Sequence, residues 1–109
     1  MTFIAMNRFR VALGREADFE EVWRGRQSDL PSMPGFVVFH LLRGAADEEA
    51  TTFVSHTVWE SEEHFEAWTK SEAFRAAHKD AGGNRPLYLG HPKFEAFEVI
   101  QEVLPPVAA

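Results

Sequence analysis

The sequence predicts an α+β fold built in the order β-α-β-β-α-β. Three observations carry that prediction. Residues 2–12 alternate with period two, the repeat of a half-buried strand. Residues 36–43 and 51–59 are runs of apolar, β-branched and aromatic residues separated by an acidic stretch, as in a hairpin with a long loop. The segments 15–29 and 61–79 instead space their apolar residues three and four apart, as helices do.

In the first strand one face carries Phe3, Ala5, Asn7, Phe9 and Val11, and the other Ile4, Met6, Arg8 and Arg10. Gly14 punctuates. The helix over about 15–29 gathers Phe19, Val22, Trp23 and Leu30 near one stripe, with Glu16, Glu20 and Glu21 mostly outside it. Pro31 ends it, because proline disfavours helix at the preceding residue. Pro34-Gly35 marks a turn. Phe36 to Arg43 then has apolar residues on both faces, Gly44 to Ala50 reads as an acidic loop, and Thr51 to Trp59 is the third strand.

Ser61 is an N-cap candidate, with Glu62 and Glu63 in the positive first turn of a helix. Ser71-Glu72 repeats the signal. At about 100° per residue, a continuous helix would turn Phe65 and Trp68 nearly opposite to Phe74 and His78. Two helices broken near Lys70-Ser71 let both pairs face inward. Residues 82–92, with three Gly and two Pro, read as a long loop, and Lys93 to Val103 as the final strand.

This order is the split βαβ, ferredoxin-like arrangement: an antiparallel sheet with helices on one face. Strands two and three are apolar on both faces, and the helices can cover only one. The other face therefore calls for a partner, predicting a homodimer in which two sheets pack together or close into an α+β barrel. Residues 1–103 form a single domain in this reading, and 104–109 a flexible tail.

Composition narrows the function. The formal charge is −6 with no basic run, which argues against nucleic acid. No apolar stretch approaches 18 residues and no signal-peptide pattern is present, so a cytoplasmic protein without a membrane partner is expected. Cysteine is absent, which excludes disulfides, thiolate metal sites and cysteine nucleophiles. Ten Phe and three Trp are many for 109 residues and suggest a flat ligand or a partner subunit. Walker, G-x-G-x-x-G, G-x-S-x-G and H-E-x-x-H motifs are all missing.

Three residues stand out. His78, near the end of a short helix, is either a helix C-terminal histidine or a single axial ligand to heme iron. Trp68 is either core or an indole pressed on a flat ligand. Asn7 interrupts an apolar strand face, where a carboxamide must find a hydrogen bond, to a loop or to a ligand atom. His40, His56, His64 and His91 lack partners at ligand spacing and read as structural or solvent-facing, His64 being exposed. Arg24, Arg26, Lys79 and Arg85 could meet ligand carboxylates.

Asn7, the run Thr57-Val58-Trp59-Glu60-Ser61, and the run from Phe65 through Trp68, Ser71 and Phe74 to His78-Lys79 resemble the IsdG family of heme-degrading monooxygenases. That family lies within the dimeric antibiotic biosynthesis monooxygenase superfamily. The resemblance implies that His78 ligates heme iron, that Asn7 hydrogen-bonds on the opposite side, that Trp68 presses the porphyrin out of plane and that Phe74 also lies against it. It further implies that heme is both substrate and cofactor, that O2 and an external electron donor (an unidentified reductase or reductant) are needed, and that the ring opens at a meso carbon with release of iron. The alternatives are a cofactor-independent monooxygenase acting on an aromatic or quinol substrate, a heme-binding protein without turnover, and a dimeric scaffold.

Overall fold

The computed structural model describes residues 2–26, 29–78 and 87–107, with only the backbone of residues 77 and 78. The elements are β1 (Phe3–Ala12), α1 (Glu16–Arg26), a 3-10 turn (Leu30–Ser32), β2 (Phe36–Ala46), β3 (Ala50–Trp59), α2 (Glu62–Thr69), α3 (Glu72–His78) and β4 (Tyr88–Glu98). The four strands form one sheet in the order β2-β3-β1-β4, with every pairing antiparallel. This is the ferredoxin-like α+β arrangement expected from the sequence.

Strand periodicity divides the sheet into two unlike faces. Phe3, Ala5, Asn7, Phe9 and Val11 of β1 face the helices, together with Phe53, Ser55, Thr57 and Trp59 of β3, which the register sets opposite them. Two buried clusters form on this side. Phe9, Val11, Phe53 and Leu87 pack with Phe19 and Trp23 of α1. Phe3, Ala5 and Trp59 pack with Leu30 and with Trp68 of α2. The opposite face carries Ile4, Met6, Val38, His40, Leu42, Val54, His56, Val58 and Phe97, and among the described residues neither cluster draws on it.

The break between the last two helices falls where the phase argument puts it. Ser61 caps α2 by accepting from the His64 N–H. Ser71 caps α3, its Oγ accepting from the Phe74 N–H at 3.1 Å while donating to the Trp68 carbonyl at 2.6 Å.

Three boundaries differ from expectation. Strand β2 runs on through Gly44 to Ala46, and the acidic loop shrinks to Asp47–Glu49. Asp47 makes this tight connection possible: its Oδ1 accepts from the N–H groups of Glu49 and Ala50 at 2.8 and 2.9 Å. Strand β4 begins at Tyr88 rather than Lys93 and ends at Glu98 rather than Val103. Gly90 and Pro92 suggested a loop, yet β4 is an edge strand whose register shifts opposite Arg8 and Arg10, with Gly90 at φ 67°. Edges and bulges accommodate both residue types. Residues 82–86 of the expected loop lie outside the described residues.

Candidate functional site

A cavity of about 330 Å³ opens between the helix face of the sheet and α1, α2 and α3. Its floor is Ala5, Asn7, Ser55 and Thr57, and its walls are Thr69 and six rings: Trp23, Phe39, Phe65, Trp68, Phe74 and Phe94. Large side chains fill both sides of the gap, since Phe53 and Trp59 are 1% and 0% exposed. Between them β3 presents only Ser55 and Thr57, too small to reach the helices. The cavity follows from that local drop in side-chain volume.

The walls are held by ring contacts. Trp59, wholly buried, lies 5.6 Å from Trp68, and Trp68 meets Phe74 edge-on at 4.8 Å and 86°. Phe65 stacks on Phe94 at 5.9 Å and 15°, and Trp23 on Phe39 at 5.8 Å and 13°. Such pairs fix ring orientation as well as burying area. The result is a slot with flat apolar sides.

The floor is polar. Asn7 is half-buried and stands directly opposite Ser55 in the β1–β3 ladder and opposite Phe94 in the β1–β4 ladder. Ser55 and Thr57 are 5% and 8% exposed. No other described residue hydrogen-bonds the side chains of Asn7, Ser55 or Thr57. A slot with ring-lined sides and a few polar groups at its base suits a flat, largely apolar ligand carrying a small polar group at its centre.

Of the sequence-derived candidates, the structure brings Asn7, Trp68 and Phe74 into this one cavity. His78 closes α3 one turn beyond Phe74, and its side chain lies outside the described residues, as do Lys79 and Arg85. Arg24 pairs with Glu21 on the surface. Arg26 lies over the Trp23 ring at 4.7 Å, and burial lowers its pKa, with Tyr88 acting in the opposite sense. Trp23 is also a wall of the cavity, and no described carboxylate pairs with Arg26.

Of the other histidines, one is placed differently from expectation. His64 is not exposed: it is half-buried, its Nδ1 lies 2.7 Å from Ser61 Oγ, and its ring is packed on Gly35. His40 and His56, sixteen apart in sequence, are cross-strand neighbours on the face away from the helices, with ring centroids 6.1 Å apart. Burial, then the neighbouring His40, lowers the pKa of His56. Among the described residues no group of three or more His, Cys, Asp or Glu side chains could hold a metal ion.

Sequence reasoning passed over Ser55, Thr57, Phe94, Phe39 and Trp23 as cavity residues. One signal was available: on the inward face of β3, two small hydroxyl residues separate Phe53 from Trp59.

The profile of the antibiotic biosynthesis monooxygenase family matches residues 2–80. A heme oxygenase (mycobilin-producing) of Mycobacterium tuberculosis is 35% identical over 103 residues, covering 94% of this chain and 93% of that protein. The solved structure of the heme-degrader MhuD from M. tuberculosis, with two hemes bound in its active site, superposes with a TM-score of 0.68 at 34% identity, covering 93% and 98% of the two chains. SnoaB, a cofactor-independent oxygenase from Streptomyces nogalater, superposes with a TM-score of 0.69 at 25% identity, covering 96% and 98%.

Proposed function

The chain belongs to the antibiotic biosynthesis monooxygenase family, and on that footing we propose that it is a heme-degrading monooxygenase. The observation that carries the proposal is the convergence of Asn7, Trp68 and Phe74 on one ring-walled cavity. A second support is the likeness, over almost the whole chain, to proteins described as heme-degrading.

Heme is the substrate in this reading. Its iron supplies the means of activating O2, and its own ring is oxidised at a meso carbon, with electrons from an external donor. The protein's part is binding and orientation. His78, at the end of α3, would supply the imidazole that holds the iron. Asn7 would offer its amide N–H to the substrate from the floor. Trp68, held by its ring contacts with Trp59 and Phe74, would bear on the flat substrate. Phe65, Phe74 and Phe94 exclude water along the sides of the slot. Arg26, lacking a carboxylate partner among the described residues, suits a ring propionate. The outcome is an open tetrapyrrole and free iron.

The protein works as a homodimer in this account. The sheet face away from the helices carries Ile4, Met6, Leu42, Val54 and Phe97 beside the charged Arg8, Arg10 and Glu95, with Leu42 and Phe97 43% and 48% exposed, and a second copy would cover its apolar part. No described helix is long and apolar enough to cross a membrane. A cytoplasmic setting agrees with the absence of cysteine.

A hemin titration followed by absorbance tests the binding half of the proposal. The wild type is expected to give a saturable Soret band, and His78→Ala a displaced band with weaker binding. An identical band in His78→Ala would remove His78 as the ligand. The second reading is a cofactor-independent oxygenase acting on an aromatic substrate. It is favoured by the hydroxyl-bearing floor and by the likeness to the S. nogalater oxygenase. That reading predicts no saturable Soret band at all.

A further inference from the structure

The inward face of β3 reads Thr51, Phe53, Ser55, Thr57, Trp59. Phe53 and Trp59 belong to the two hydrophobic clusters. Thr51 is buried too, but its hydroxyl is used: Oγ1 donates to Glu16 Oε2 at 2.8 Å and ties α1 to the sheet. Ser55 and Thr57 are different. Both are more than nine-tenths buried, and no described residue hydrogen-bonds either hydroxyl. Neither oxygen is sealed within protein, because both residues line the cavity and neither is among the wholly enclosed orphan atoms.

A buried hydroxyl without a partner is unfavourable, and an apolar residue of similar size would avoid the cost. Two such hydroxyls on one strand, both turned toward the same cavity, therefore imply a partner that enters it. The ladder adds a third group. Asn7 lies directly across from Ser55, and residues so paired have Cβ atoms about 4.5–5.5 Å apart. One carboxamide and two hydroxyls thus converge at the base of a slot whose sides, Thr69 aside, are aromatic rings.

We propose that Ser55 and Thr57, together with Asn7, form a hydrogen-bonding floor for a small polar ligand of two or three atoms bound at the centre of the flat substrate. The inference rests on the heme reading given above and extends it. Ser55 and Thr57 are positioning residues for what approaches the centre of the ring, in addition to Asn7. A hydroxyl can donate or accept by rotating. The floor can therefore hold an acceptor such as O2, or a water that stands in its place, without rearranging the backbone. Asn7 alone offers a donor in one direction; the two hydroxyls fix the ligand's tilt, and hence which part of the ring it points toward.

The test uses azide as the small ligand and hemin-loaded protein, with Ser55→Ala, Thr57→Val and the conservative Ser55→Thr. Azide binding is expected to weaken roughly fivefold in Ser55→Ala and Thr57→Val, the effect of losing one hydrogen bond. Ser55→Thr is expected to stay within about twofold of wild type, since it keeps the hydroxyl. Hemin affinity should change far less than azide affinity. A second measurement needs no heme. The melting temperature of the ligand-free Ser55→Ala protein should hold or rise, because the change removes an unpartnered buried hydroxyl. Azide affinity equal to wild type in both deletion variants would overturn the proposal. So would a fall in the ligand-free melting temperature that Ser55→Thr reverses, since the hydroxyl would then be structural. Failure of the wild type to bind hemin would instead overturn the heme reading, and this inference with it.

Discussion

The rings of Trp68 and Phe74 meet edge-on at 4.8 Å although each belongs to a different helix. Ser71, at the break, makes this possible by donating to the Trp68 carbonyl that ends one helix and accepting from the Phe74 N–H that begins the next. Replacing Ser71 with Ala removes both bonds. The loss of an N-cap costs about 1 kcal/mol, or roughly 4–8 °C in melting temperature for a domain near this size. Hemin affinity is expected to fall alongside stability, because the Trp68 wall is no longer fixed. Thermal unfolding and a hemin titration of Ser71→Ala check the pair of effects; unchanged affinity in a destabilised protein would separate the break from the site.

That break was legible in the sequence because helical phase is a local property, and Ser71-Glu72 repeats the signal of Ser61-Glu62. Asn7 was legible because a carboxamide interrupts an apolar strand face. The place of Ser55 and Thr57 in the cavity was not, since two small hydroxyl residues in a strand gain meaning only once the register sets Ser55 against Asn7 and Phe53 and Trp59 fill the space on either side. The start of β4 was misread for a related reason. Gly90 and Pro92 oppose a strand in general but not an edge strand with a shifted register. Nor could local spacing foresee the His40–His56 neighbourhood or the packing of His64 on Gly35.

Gly35 is fixed from two directions. Its φ is 79°, and a Cβ there would lie 2.2 Å from His64 Cγ. Gly35→Ala is expected to destabilise by about 1–3 kcal/mol through backbone strain alone, with the clash adding to it. The double change Gly35→Ala with His64→Ala should recover only part of the loss, because it relieves the clash and leaves the strain. Denaturant unfolding of the wild type and the two variants measures this; full recovery would assign the whole effect to the imidazole contact.

The hairpin between β2 and β3 depends on Asp47. Arg10, with the N–H groups of Glu49 and Ala50, holds its carboxyl well below the usual carboxylate range. A carboxylate with a depressed folded pKa contributes stability above its unfolded value, and that contribution is lost as pH falls through the folded one. Asp47→Asn should therefore melt below wild type at neutral pH, with the gap closing as the pH drops below about 4. Melting curves across that range check the sign. A gap that widens on acidification would contradict it.

The outward sheet face makes a separate prediction. Leu42 is 43% exposed on that face, so Leu42→Glu would be nearly neutral on an isolated monomer. In a dimer joined through this face it would bury an unpaired charge and dissociate the pair. Sedimentation velocity should show dimeric wild type and monomeric Leu42→Glu, with far-ultraviolet circular dichroism unchanged. Equal sedimentation would move the interface elsewhere.

The central claim is that this cavity consumes the heme it binds. The most direct measurement follows hemin-loaded protein by absorbance in air after addition of ascorbate, with catalase present to remove peroxide. The account predicts loss of the Soret band, growth of a long-wavelength tetrapyrrole band, and release of iron to a ferrous chelator. A Soret band that persists unchanged under reductant and oxygen would contradict it, leaving a protein that holds heme without degrading it.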